Sequence, residues 1–472
     1  MARELLNILE TGHRPLIQWS RHLAYAKYSR NRIAQLPGGK SAAHSFVGPL
    51  PELREPHPGF IGHHRAIAGC REPPSFVPPP LDSQGEKGRS PIQFRGEILG
   101  RDGLSFLRAA WQDLSERSAE DNVYYSPRYA EALLDTIEKN INLNVAVVWN
   151  GAQLVAMLPF TIKNLRVPIL QPVGRAWCTK YTFSCTPLLD KKYIREAAEG
   201  LVEVLFTTRA GEWLLPTLNA QGEACRAIII ALQRRGVPWL LLNTFQRATL
   251  ESDGTRGEDW ENRLSSKRRR DLARNRRRLE TLGKVKHEVH CSGEALDAAV
   301  DAFLTIEAGG WKGQRGTALA CDPDTHRFAI AAFTGDKNHS ICRADVLTLE
   351  GQPVAVSIMT FANGTGFTVK STYDEAFRSY AAGLLLEVEI IRSFLSGKWA
   401  HRLDAATAGT HVIDDLWPGR IEVADLAFSL APRRAEARLF VLRWGMRMRQ
   451  QVKTRLLSGL RALQPLWRRC LS

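Results

Sequence analysis

The chain has 472 residues, 44% of them hydrophobic, and a formal net charge of +15. That length and apolar content fit a globular protein with more than one core, and two domains with tails are expected. The charge is local: residues 263–278 carry nine Lys or Arg against one Asp, and 433–472 carry eleven against one Glu. The remainder is slightly acidic, which excludes a uniformly basic surface built to coat nucleic acid.

In chain order, residues 1–95 show weak hydrophobic periodicity, with ten prolines between Pro49 and Pro91, and read as a flexible, disordered N-terminal arm. From Ile98 an α/β pattern begins: helix over 104–114, strands over 145–149 and 151–160, helix over 194–206, strand over 213–215, helix over 225–235 and strand over 239–243. A second round follows. It predicts helix over 262–282, strand over 284–290, helices over 294–306 and 325–334, strands over 341–349, 353–361 and 366–373, helix over 383–396 and strand over 401–404. The like order of elements suggests two lobes with mixed central sheets, an N-terminal one over 96–255 and a C-terminal one over 256–430.

Beyond these, residues 431–472 form a basic tail. Val441, Trp444, Met448, Val452, Leu456, Leu460 and Leu463 recur at steps of three and four, with most arginines off that stripe. An amphipathic helix over 433–463 is expected, either lying on an anionic membrane surface or docked on the body of the protein or a second subunit. The eight cysteines are scattered without a CxxC pair, so no zinc site or disulfide framework is indicated and a reducing compartment fits. His287, His290 and Cys291 in KVKHEVHC read as a solvated strand edge, and no metal is expected. No apolar run approaches the ~20 residues of a membrane span. A soluble, unprocessed, cytoplasmic protein is expected, peripheral at the inner face of the membrane if the tail lies on lipid.

The most informative stretches are EAGGWKGQRG (Glu307 to Gly316) and KSTYDEAFRSYAAGLLLEVEII (Lys370 to Ile391). The second reads as a strand, a polar loop and an apolar helix entered at a glycine. Arg378, Ser379 and Tyr380 lead into Ala381, Ala382, Gly383 and Leu384, residues small enough at the turn for a ligand to approach the backbone. The free amides and dipole of the first helical turn favour an anion such as a pyrophosphate. An ordinary strand-to-helix connection has the same spacing.

Five pieces in order resemble the CelD-like acyltransferase family of the GNAT superfamily, associated with cellulose and exopolysaccharide biosynthesis. They are LSSKRRRDLARNRRRLETLG (Leu264 to Gly283), EAGGWKGQRGTALACDP (Glu307 to Pro323), KSTYDEAF, the turn at Gly383, and DAATAGTH (Asp404 to His411) leading to LWPGR. A weaker resemblance reaches back to Ile98. Members often carry Ser-Pro-Gly where Ala381-Ala382-Gly383 stands here, which removes rigidity without removing the glycine. The resemblance implies tandem GNAT-like lobes, acyl-CoA as co-substrate and residues 378–384 as its cradle. It further implies direct transfer of an acyl group, acetyl foremost, to an amine or hydroxyl of a small molecule, lipid or polysaccharide precursor.

Such transfer rests on orientation, on a base for the nucleophile and on a donor for the leaving thiolate. Candidate catalytic residues are Glu307, Asp404, Tyr373 and His411; Trp311, Lys312, Lys370 and Asp374 are candidate substrate contacts. Asp404 and Lys370 read equally as a buried ion pair. Leu264, Leu272, Leu279 and Leu282 share one face of the basic helix, leaving its arginines to water, to the phosphates of acyl-CoA or to RNA. No aromatics interleave with them, so single-strand stacking is disfavoured. Two alternatives stay open: a Fem-type transferase using aminoacyl-tRNA, the one case in which nucleic acid is a partner, and a non-catalytic protein of this fold that recruits a polysaccharide-synthesis complex.

Overall fold

Strand-forming runs of Val, Ile, Leu, Phe and Tyr are joined at tight turns, three of them Asn150-Gly151, Glu350-Gly351 and Asn363-Gly364, whose glycines take positive φ. The computed structural model describes residues 94–164, 172–252, 257–335, 340–397, 399–407, 412–431, 435–445 and 448. The first half comprises β1 (Phe94–Gly100), α1 (Leu104–Glu116), α2 (Pro127–Asp135), β2 (Asn144–Asn150), β3 (Gln153–Lys163), β4 (Val173–Ala176), β5 (Leu188–Leu189), α3 (Ile194–Phe206), β6 (Glu212–Asn219), α4 (Glu223–Arg234) and β7 (Trp239–Glu251). The second comprises α5 (Gly257–Arg263), α6 (Ser266–Glu280), β8 (Val285–His290), α7 (Gly293–Gly309), α8 (Trp311–Gln314), α9 (Pro323–Phe333), β9 (Cys342–Leu349), β10 (Gln352–Ala362), β11 (Thr365–Tyr373), α10 (Ala382–Gly397), β12 (Arg402–Asp404) and β13 (Gly419–Ser429).

All thirteen strands belong to one mixed sheet in the order β1-β2-β3-β4-β6-β13-β7-β12-β11-β10-β9-β8, with β5 beside β3. Neighbours are antiparallel except β4 with β6 and β11 with β12. Each half is therefore an antiparallel meander, a helix (α3 or α10), and a strand parallel to the meander's last member. This is the mixed α/β architecture with two like lobes expected from the sequence. The halves share their middle strands: β13, last in the chain, pairs with β6 on one side and β7 on the other. Trp213 on β6 fixes that insertion, edge-on to Phe160 of β3 at 5.0 Å and stacked on Phe428 of β13 at 6.3 Å.

Several elements differ from the sequence expectation. The basic helix over 262–282 is two helices, because Ser265 caps α6 by accepting the Arg268 amide on its side chain. Leu264, Leu272 and Leu279 are buried as expected, but Leu282 lies past the helix end and is 48% exposed. The segments β1, α2, β4, β5 and β13 were not anticipated. The N-terminal arm before Phe94 lies outside the described residues. So does most of the tail stripe, while residues 435–445 are helical. There Leu439 is buried against Leu240, Leu242 and Ala427, and Arg438 pairs with Glu212 at 3.1 Å, whereas Phe440 and Trp444 stay exposed. Among the described residues no helix is long and apolar enough to cross a membrane.

Because Trp213 bridges three strands, Trp213→Ala is expected to cost about 3–5 kcal/mol, read as a lowered urea midpoint. A change under about 1 kcal/mol would show that β13 is held by its backbone pairing alone.

Candidate active site

β11 and β12 pair over only three positions, Thr365 with Arg402, Gly366 with Leu403 and Phe367 with Asp404. Beyond Asp404 the two strands part, since β11 continues to Tyr373 while the other chain turns away. Left-handed alanines stand on both lips of this split, Ala381 (φ 56) before α10 and Ala406 (φ 46) after β12. An alanine held there costs of order 1–2 kcal/mol, so the surrounding structure must impose it.

On one lip Asp374 caps a 3-10 turn over Glu375–Tyr380 by accepting the Ala376 amide at 2.9 Å. The chain reverses at Ala381 and enters α10. The Leu384 and Leu385 amides both donate to the Ala381 carbonyl. The first-turn amides of Ala382 and Gly383 thus precede the intrahelical ladder, and α10 has no acidic residue in its first turn. Gly383 packs on Tyr373, where a Cβ would already stand 3.2 Å from the ring. The basic helix α6 closes the side of this mouth: Arg278 donates to the Ser379 carbonyl at 3.1 Å and lies 5.0 Å from the Tyr380 ring centre. Lys267, Arg270, Arg274 and Arg277 point outward from the same helix.

On the other lip Asp404 is buried and accepts the Ala406 amide at 2.6 Å. Its partner is Arg247 of β7, 3.5 Å away, which also donates to the Thr407 and Phe183 carbonyls. The buried phenol of Tyr124 feels both charges, and its pKa stands well above the ordinary value, first through burial and then through Tyr129 and Asp404. Asp404 and Arg247 line a cavity of about 840 Å³ between the halves, whose wall also takes in residues 116–121, Thr217, Asn219, residues 221–223 and 401–402.

Residues 266–411 match the acetyltransferase (GNAT) domain family. The matched span runs from the first residue of α6, through both lips of the split. No curated protein sequence matches the chain. Among solved structures it is similar to FemX, at 9% identity over 69% of this chain and 96% of that one, with a TM-score of 0.46. It is also similar to L-PGS from Bacillus licheniformis (12%, 61% and 85%, TM-score 0.38) and to a tandem GNAT protein from the clavulanic acid biosynthesis pathway (12%, 72% and 99%, TM-score 0.36).

Within this GNAT segment the candidate residues separate into three groups. Residues 378–384 gather at the mouth of α10 with Tyr373, while Asp374 serves as the turn's cap. Asp404 stands at the split, but its ion partner is Arg247 and not Lys370. Glu307 lies elsewhere, fully buried at the end of α7, bonded to Lys370 at 2.8 Å, Lys312 at 3.2 Å and the Leu319 amide at 2.8 Å. Trp311 begins α8 beside it, under the Arg315 guanidinium. His411 lies outside the described residues. Arg247 and Tyr124 were missed because each stands in a mixed polar stretch, NTFQRATLE and EDNVYYSPR, with no local motif. Trp417, from LWPGR, is fully buried and donates to Glu387 of α10 at 2.8 Å. Among the described residues no His, Cys, Asp and Glu cluster could hold a metal.

Burial opposes the charge on Glu307, but the Lys312 and Lys370 ammonium groups and the Leu319 amide outweigh it and hold the carboxyl below its ordinary value. Burial pushes Lys370 down to about 8 against the pull of Glu307, so the cluster is still ionised at neutral pH. Glu307→Gln leaves two buried ammonium groups short of an anion and is expected to cost about 3–5 kcal/mol at pH 7. A carboxyl depressed in the folded state stabilises above its unfolded value of about 4.3 and loses that contribution as pH falls through the folded value. The gap between wild type and variant in urea titrations should therefore close in acid. A gap that is constant with pH would mean that Glu307 acts through packing alone.

Proposed function

We propose that the chain is a transferase that binds an acyl-CoA at the mouth of α10 and passes the acyl group to an amine or hydroxyl presented from the interlobe cavity. The observation that carries this reading is the first turn of α10, which holds no acidic residue and starts behind a left-handed Ala381, inside the span that matches the GNAT acetyltransferase domain. The Ala382 and Gly383 amides would hold a pyrophosphate, with the Arg278 side of α6 adding positive charge. The arms of the donor would run into the split between β11 and β12.

Acyl-CoA supplies a thioester carbonyl that a nucleophile attacks directly. The chain supplies position and a proton acceptor: Asp404, at the floor of the cavity and held in place by Arg247 and the Ala406 amide, faces the point where the strands part. The bond from acyl carbon to sulfur is exchanged for one to nitrogen or oxygen, and the proton lost by the nucleophile is matched by the one the departing sulfur gains.

The outward stripe of Lys267, Arg270, Arg274 and Arg277 beside the mouth supports a second reading, in which the activated group is carried on an RNA. Thermal unfolding separates the two, because a ligand bound only to the folded state raises the melting temperature. Acetyl-CoA or free CoA at a hundredfold excess over its Kd should stabilise by about 2.7 kcal/mol, and Gly383→Glu, which sets a carboxylate on the anion site, should abolish the rise. No rise with any CoA thioester, together with retention of aminoacyl-tRNA on filters, would replace the first reading with the second.

A further inference from the structure

The helix over 435–445 is apolar on two sides. One side is docked: Leu439 and Leu442 pack on Leu214, Leu240, Leu242 and Ala427 of the sheet, and Arg438 holds the buried Glu212 at 3.1 Å. On the opposite side Phe440, Trp444 and the likewise helical Met448 recur at steps of four, which keeps successive side chains in one row along a helix. They are 66%, 56% and 38% exposed. Docking through Leu439 thus leaves a second apolar face in water.

That row is unlike the rest of the surface. Nine large apolar side chains are exposed among the described residues, and three of them belong to this row, while the other six lie on six different segments. A single exposed apolar residue needs no explanation, whereas a row of three on one helix marks a contact face.

The charge along the tail selects what that face meets. Residues 433–472 carry eleven Lys or Arg against one Glu, with Arg433 and Arg434 before the row and Arg447 and Arg449 on either side of Met448 in the sequence. A second copy meeting the row face to face would set two such basic tails against each other, and like charges oppose that contact. An anionic lipid surface suits both features. Its headgroups attract the cations, and Trp and Phe rings settle at the boundary between headgroups and acyl chains. Because Leu439 and Arg438 already fix the helix on the body, little further ordering is needed to present the row.

We propose that Phe440, Trp444 and Met448, within the basic tail, dock the protein on an anionic bilayer, with the helix lying along the surface and Leu439 still packed on the sheet. This placement is independent of the transferase reading.

Co-sedimentation of the full chain with lipid vesicles tests it. Vesicles of phosphatidylcholine mixed with phosphatidylglycerol should bind at least tenfold more tightly than phosphatidylcholine alone, and the binding should weaken as salt is raised. Phe440→Ser combined with Trp444→Ser should lower binding to the anionic vesicles at least tenfold and leave the melting temperature unchanged, because both side chains are exposed. Phe106→Ser, which removes a side chain 91% exposed on α1, should leave vesicle binding unchanged. A folded double variant that binds anionic vesicles like wild type would overturn the proposal, since basic charge alone would then suffice. Equal binding to the two kinds of vesicle would overturn it as well. So would a concentration-dependent dimer that the double variant dissolves, which would assign the row to a second copy.

Discussion

The brevity of β12 is the constraint on which the rest depends. Three parallel register pairs hold it to β11, and its last residue is Asp404. A longer strand would zip the sheet shut, bury Asp404 in a ladder and leave α10 with no opening beside it. Because pairing stops there, the two lips diverge, and the chain turns through left-handed alanines on each side. The mouth of α10 on one side of the split and the cavity on the other both follow from that stop.

The two lobes share this plan but use it differently. In the N-terminal lobe two of the protein's own acids stand near the helix starts: one caps the 3-10 turn ahead of α3, whose own first turn has no side-chain cap, and the other caps α4. Asp190 accepts the Lys192 amide ahead of α3 and pairs with Arg117, and Glu120 accepts the Ala224 amide at the start of α4. An external anion at α4 would have to displace Glu120. The first turn of α10 has no acidic residue of its own. The two halves thus differ at α4 and α10, and both contribute residues to the wall of the cavity between them.

Much of this was legible in the sequence. Helices α3, α7, α9 and α10 and strands β8 to β12 have strong periodicity or clean turn residues, and the glycine turn at 381–384 could be read without the fold. What escaped was non-local. The alternating GRIEVADLAFS of β13 looks like an edge strand after a motif, and its place between β6 and β7 depends on partners 170 to 217 residues earlier in the chain. Lys370 and Asp404 sit on adjacent strands and invited pairing. Their true partners, Glu307 and Arg247, come from α7 and β7, elements that only tertiary packing brings near. Glu120 sits in a polar loop that has no periodicity to single it out.

Hydrogen exchange of the whole chain, with and without CoA, addresses the central claim most directly, because it reports where a ligand's backbone contacts fall. Slowed exchange is expected across residues 379–386 and over 405–407 on the opposite lip, with residues 190–195 ahead of α3 unchanged. Protection confined to 190–195, or none over 379–386 under conditions where CoA is bound, would contradict it.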